Sequence, residues 1–432
     1  MKKKLFSLLL AGVMTLSLVA CAGGKDDEAN APAEGGSNKL TVMAWDANFN
    51  IPALKAAEAE YKKINPDFTL EILEQSGSTD VETAITTAGS SGDYSNLPDI
   101  VLFQDHAIQR YAADFPDAFK DIDDAEIVWA DFSAEKLDYS TIGGKHYGVP
   151  VDNGAVITAY RVDLLEQCGY TLDDMTGCTW DEFIEIGKKV YAETGKYLMC
   201  MDGNGNDLFY MMLQAEGVSQ FKDGEPAITG NDTLVKIVEV IAKMAKENVL
   251  YLANDWTGYT NEAIQGDMVA GVMNGNWIIP TIKQVPENSG KWELTTMPTL
   301  SGAEGYAGNG GSSLYVTGNC ADVDLAKDFL AKTFGSNTTV YDNALLDGGV
   351  ISTYAPAGET DVYNTPDEYF NGQAIYATIV EMGTHIPVIE QSDYHYSMRT
   401  VLGNALTNVI NGADLMTELE AAETQLRFEM GI

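Results

Sequence analysis

The stretch KLTVMAWDANFNIPALKAAEAEYKKINPDFTLEIL, residues 39–73, holds two β-type runs with one helix between them. Lys39 to Trp45 is the first run. From Pro52 to Asn65 apolar residues (Leu54, Ala57, Tyr61, Ile64) recur at helical spacing, and the helix stops before Pro66, whose ring disfavours α backbone in the preceding residue. Phe68 to Leu73 alternates again as a second strand. Asp80 to Ala88 is helical in pattern, and Pro98 to Phe103 reads as a third, apolar strand. Strands joined by helices pair in parallel, because the connection must carry the chain back to the starting edge. A parallel sheet of this kind places its binding crevice at the carboxyl ends of the strands. The segments Asp46 to Asn50 and Gln104-Asp105-His106 are therefore where a site is expected.

Working outward, the later chain is more helical. Trp180 to Thr194 opens with Thr179 as N-cap and Glu182 three residues on, a capping-box arrangement. Asp232 to Lys246 is strongly amphipathic (Leu234, Ile237, Val238, Ile241, Met244), and Asp322 to Phe334, Ser397 to Ile410 and Met416 to Phe428 are similar. In the other direction, Lys2, Lys3 and Lys4 precede a small-and-apolar stretch from Leu5 to Val19. That stretch is shorter than the roughly 20 residues a membrane-spanning helix needs, so it reads as a signal-peptide core. It ends in Leu18-Val19-Ala20-Cys21, which looks like a bacterial lipobox with Cys21 as the lipidated first residue of the mature chain. The expected partition is a signal peptide at 1–20 and a lipidated Cys21 with a flexible tether at 21–38, and the expected location is the extracellular face of the cell membrane. Ala22 to Asn38 has no aromatic and no β-branched residue, so it cannot bury enough apolar surface to fold.

Charge narrows the partners. Against 64 acidic residues stand 26 basic ones, a formal charge of −38. Such a surface repels nucleic acid and anionic ligands and suits a neutral or cationic one. Beyond Cys21 there are Cys168, Cys178, Cys200 and Cys320, with no CxxC; Cys168 and Cys178 flank a loop short enough to close by a disulfide, and free buried thiols are the other reading. Four histidines show no metal-type spacing, and no cofactor or metal is expected.

Several segments in order resemble the family 1 extracellular solute-binding proteins of ABC importers, from about Lys39 to the C-terminus. They are Leu40 to Trp45, Leu97 to Val101, Gly144 to Pro150, Tyr160 to Leu165, Thr179 to Phe183, and Gly266 to Trp277. The resemblance implies an α/β, two-lobed periplasmic-binding-protein-like fold of type II, with discontinuous lobes and a hinge. By position, the first lobe would comprise 39–153 plus 298–334 and the second 154–297 plus 335–432, with crossings near 151–156, 297–302 and 335. The implied function is capture of a carbohydrate, an oligosaccharide above all, in the interlobe cleft and its delivery to ABC permease subunits.

A sugar presents hydroxyls that suit Asp, Asn, Glu, Gln and Arg, and C–H faces that suit a flat aromatic. Trp45, Asp46 and Asn48 follow the first strand and offer that mixture. Asp105 follows the third strand and matches a family position for a sugar-binding acid; His106 beside it is expected at the surface. Asp152 and Asn153 lie in the first crossing. Trp277, after Asn274-Gly275-Asn276, matches a family cleft tryptophan, and Trp256 sits in a polar loop where a large aromatic needs a reason. Tyr394, His395, Tyr396 and Arg399 align with a segment that donates a cleft aromatic and an arginine. The maltose-binding member has tryptophan where this chain has His395, so its specificity does not simply transfer.

Two loops invite other readings. Gly308 to Ser313 is glycine-rich but precedes a strand and lacks GK[ST], so it is no phosphate loop; a backbone approach to ligand near a crossing fits better. Asp202 to Asp207 begins like a calcium loop but has Asp207 at position six and Leu213 at position twelve. A polar cleft loop is the alternative, with Asp207 or Phe209 reaching the ligand. No GxSxG or HExxH motif supports hydrolysis, and the enzyme reading that stays open is a glycoside hydrolase using paired carboxylates. The same fold binding a polyamine or peptide is the other alternative.

Overall fold

In the computed structural model, which describes residues 38–432 apart from Asn48 and 203–206, Lys39–Trp45 lies between two parallel partners, Thr69–Gln75 and Ile100–Gln104. The signal segment, Cys21 and nearly all of the tether lie outside the described residues. The sheet is completed by two antiparallel strands from later in the chain, giving the order Thr69–Gln75, Lys39–Trp45, Ile100–Gln104, Ser312–Val316, Gly148–Pro150. Leu40, Val42 and Ala44 turn one face of the first strand into the core. Ile100 and Leu102 join one hydrophobic cluster, whereas Val101 and Phe103 join another on the opposite face. Cover on both faces is why this strand is apolar throughout rather than alternating, and burying each such side chain is worth roughly 1.5–3 kcal/mol.

The second lobe is built on an antiparallel sheet, Gly271–Gly275, Val156–Arg161, Trp292–Thr295, and a parallel pair, Met199–Asp202 with Leu250–Ala253. Helices cover it. Trp180–Thr194 begins where the sequence pattern places it: the Thr179 hydroxyl accepts from Glu182 N–H at 3.2 Å, and the Glu182 carboxylate accepts from Thr179 N–H at 2.8 Å. Asp232–Lys246 is capped by Asn231, and its Leu234, Ile237, Val238, Ile241 and Met244 are buried.

The chain crosses between the sheets in three hydrogen-bonded segments. Val151 N–H donates to Ser312 O at 3.0 Å, Val156 N–H to Ala307 O at 2.7 Å, and Asn153 N–H to Ile351 O at 2.7 Å. The second and third crossings thus fall near 307–312 and 350–353, later than the sequence reading has them. Residues 297–305 stay with the second lobe: Thr299 bridges to Thr179, and Met297 to Gly305. The helix Thr338–Gly348, expected in the second lobe, packs on Asn50–Tyr61 of the first. Periodicity locates helices but carries no record of which sheet a helix covers. Cys168, Cys178, Cys200 and Cys320 are free and buried, and no helix among the described residues is long and apolar enough to cross a membrane.

Candidate functional site

A cavity of about 620 Å³ opens at the carboxyl ends of strands from both sheets, beside the crossings. Trp45 and Asp46 reach it from Lys39–Trp45, Gln104 from Ile100–Gln104, Asp202 from Met199–Asp202 and Asn274 from Gly271–Gly275. Asp46 adopts a left-handed backbone (φ 68°), and its carbonyl accepts from Ile51 N–H at 3.1 Å. This turn lets the strand hand over at once to the helix Asn50–Tyr61.

Three tryptophans face the space. Trp256, 44% exposed, stacks on the buried Tyr259 with centroids 5.1 Å apart and lies 5.6 Å from Trp277. Trp277 is half-buried, and its indole N–H donates to Asn309 O at 2.8 Å, which fixes the ring's orientation. Trp45 stands on the first-lobe side. The polar lining is acidic: Asp46, Asp152, Asp202 and Asp207, with Arg399 the one Lys or Arg among the lining residues.

Arg399 and Asp207 form the charged corner. Asp207 is buried; its carboxylate takes Arg399 at 2.8 Å on one oxygen and His395 Nε2 at 3.0 Å on the other. Burial alone pushes the carboxyl up, but His395, Arg399 and His106 together hold it well below the usual range. His395 then stacks flat on His106, rings 4.2 Å apart and 3° from parallel. Burial, aided by the His395 charge, drives His106 far down, so it stays neutral. Two further contacts join the lobes here, Tyr396 donating to Gln104 Oε1 at 3.1 Å and the Tyr139 and Tyr210 hydroxyls at 2.6 Å.

Beneath the cavity lies a buried ionic cluster. Lys136, on the helix Ala134–Ser140, donates to Asp105 Oδ2 and to Gly310 O at 3.2 Å; Asp105 Oδ1 accepts from Ser313 at 3.0 Å. Asp105, Glu135 and Asp152 together hold the lysine charged against its burial. One cation cannot satisfy three carboxylates. Burial, with the Asp105 charge adding and Lys136 opposing, pushes Asp152 up to about 6 and Glu135 up to about 7. The unfolded chain ionises Glu135 near 4.5, so between that value and 7 the folded state keeps a proton the unfolded state has lost. This group's contribution to stability is full below its unfolded value and is lost as pH rises through 7. Glu135→Gln is accordingly expected to raise stability at pH 8 by up to about 3 kcal/mol and to leave it nearly unchanged at pH 4. Urea melts at the two pH values check this, and an equal effect at both would refute it.

The sequence-expected residues divide. Trp45, Asp46, Asp152, Trp256, Trp277 and Arg399 line the cavity. Asn48 lies outside the described residues. Asp105 does not line it, being wholly buried against Lys136. Asn153 is spent on the crossing, its side chain bonded to Ser352 O and Ala155 N–H. Tyr394 packs against the second-lobe core, and its place at the cavity is taken by Tyr396. His395 is buried behind Asp207, while His106, expected at the surface, is buried and lines the cavity. Phe209 is core and Asp207 is cleft. Asp202 was findable as the residue ending a strand; Pro280 and Gly348 carry no sequence signal that marks them.

Residues 56–370 match the model of the bacterial extracellular solute-binding protein family. A lactose-binding protein of Rhizobium radiobacter is 33% identical over 98% of this chain and 97% of its own length. An arabinooligosaccharide-binding protein of Bacillus subtilis is 26% identical over 64% of this chain and 66% of its own. The structure of the sugar-binding protein MalE from Xanthomonas citri superposes with a TM-score of 0.75 at 17% identity, covering 90% of this chain and 96% of that one.

Proposed function

Because the chain belongs to the bacterial extracellular solute-binding proteins, we propose that its interlobe cleft captures a neutral oligosaccharide and delivers it to the membrane subunits of an ABC importer. The observation that carries this reading is the lining itself: Trp45, Trp256 and Trp277 around 620 Å³, interspersed with carboxylates, amides and one arginine. Flat aromatics bury the C–H faces of a pyranose at low entropy cost, and bidentate polar groups match its vicinal hydroxyls. Four lining aspartates against one arginine disfavour anionic sugars. We assign Trp45, Asp46, Asp152, Trp256, Trp277 and Arg399 as ligand contacts and add Asp207, Asn274 and Tyr396. Lactose leads the candidate ligands, since a lactose-binding relative matches along nearly the whole chain.

The test is a thermal-shift panel of lactose and of xylo-, manno-, malto- and arabino-oligosaccharides, with galacturonate oligomers as the anionic control. A neutral sugar is expected to raise the melting temperature and to be recovered intact, and the galacturonates to have no effect. Release of reducing ends would turn the reading toward a glycoside hydrolase. A lipid on Cys21 would hold the protein at the outer face of the membrane; Cys21→Ser is then expected to shed it into the medium, and retention on cells would overturn the anchor.

A further inference from the structure

We propose that Lys136 is a positioning residue of the cleft, aiming the 309–312 loop and, through it, the ring of Trp277; this rests on the cleft being the ligand site. The loop is clamped along its backbone. Asn309 N–H donates to Gly154 O at 2.8 Å, and Asn309 O accepts the Trp277 indole at 2.8 Å. Gly310 O accepts from Lys136 at 3.2 Å, Gly311 O from Asp105 N–H at 3.1 Å, and Ser312 N–H donates to Asp152 Oδ1 at 2.7 Å. First-lobe groups thus hold 310–312 while the second-lobe tryptophan holds 309.

The two glycines explain how both sides approach. Gly310 and Gly311 have φ of 78° and 101°, in the left-handed region that favours glycine. A Cβ on Gly311 would fall on the Lys136 ammonium and 2.7 Å from Asp105 Oδ2; one on Gly310 would come within 3.1 Å of Trp277 Nε1. Bare backbone is what lets the lysine and the indole reach adjacent carbonyls. A buried ion pair is weak evidence for stability, since apolar groups of like volume often serve as well. Here the lysine also reaches a carbonyl one residue from the indole's acceptor. The Asp105 carboxylate that the sequence assigned to sugar instead pairs with that lysine, which Glu135 and Asp152 also help to keep charged.

The test separates positioning from stability. Asp105→Asn keeps the lysine's bond to Gly310, and Asp105→Asn/Lys136→Met removes it without leaving a buried unpaired charge of that pair. The readouts are the ¹⁵N–¹H indole signal of Trp277, assigned with Trp277→Phe, and affinity for lactose and the oligosaccharide panel. Relative to Asp105→Asn, the double variant is expected to displace the Trp277 signal and to bind at least tenfold more weakly. An unmoved signal and unchanged affinity overturn the proposal whatever happens to the melting temperature. If the double variant does not fold, Gly311→Ala, which keeps every charge and drives a methyl group onto the ammonium, must move the same signal; an unmoved one is equally fatal. Should no panel sugar bind the unaltered protein, the ligand reading fails and the indole signal alone decides the role of Lys136.

Discussion

Trp277→Ala is expected to lower affinity for the cognate oligosaccharide at least tenfold, or about 1.4 kcal/mol or more. Two losses add. The indole face disappears from a cavity whose neighbouring platform, Trp256, lies 5.6 Å away, so stacking on that side of the sugar goes with it. The N–H that holds Asn309 O at 2.8 Å goes too, removing the tryptophan's hold on the 309–312 loop that lines the cavity. Trp277→Phe retains a flat ring without the N–H, so it should fall between the two and apportion the losses. Isothermal titration with lactose or the best panel sugar measures all three proteins. Unchanged affinity in Trp277→Ala would move this residue from the ligand to the packing of the lobe.

The second large effect is on stability. Asp207→Ala is expected to cost about 3 kcal/mol, because it leaves Arg399 and His395 without their shared buried acceptor. Arg399 is 32% exposed in its side chain and can be partly rehydrated, which keeps the figure at the lower end of what removing one partner of a buried pair costs. The pH dependence has a definite sign. The folded-state carboxyl is held below its ordinary value of 3.8, so its contribution is present above that value and drains away as pH falls beneath it. The gap between Asp207→Ala and the unaltered protein in urea melts should therefore be full at pH 7 and close in acid. A gap that persists undiminished well below the ordinary carboxylate range would show that the pair acts by packing alone. Glu135→Gln has the opposite sign: it stabilises where Asp207→Ala destabilises, and both effects grow with pH, between pH 4.5 and 7 for Glu135 and below the ordinary carboxylate value for Asp207.

How much of the site was legible depended on how local its signal was. Trp45 and Asp46 could be placed because they end a strand of a parallel sheet, where backbone geometry itself forms a crevice. Asp152, Trp256, Trp277 and Arg399, expected from order along the chain and from the oddity of a large aromatic in a polar loop, line the cavity. Asp105 follows its strand in an equally good position but is buried against Lys136 and does not line the cavity. Its side chain is turned away by a lysine 31 residues later, which the spacing does not announce. His395 and His106 are 289 residues apart in sequence and 4.2 Å apart in space; the sequence expects His106 at the surface and His395 in the cleft, and nothing in it announces that they stack. Tyr396 rather than Tyr394 faces the cavity because of the rotation of the helix His395–Ile410 on its core. That rotation is set by the tertiary packing of Met398, Leu402 and Leu406.

From its residues alone this chain determines an alternation of strands and helices whose first three strands pair in parallel, a crevice at the ends of those strands, and an acidic surface unsuited to anions. Those properties follow from periodicity, backbone sterics and summed charge, which are local or additive. Only the tertiary structure decided where the chain crosses between lobes, which sheet Thr338–Gly348 covers, and which carboxylates meet the ligand space rather than a buried cation. These depend on pairings between groups far apart in sequence. The energy of such a pairing turns on ångström distances and on burial, neither of which exists until the lobes have packed.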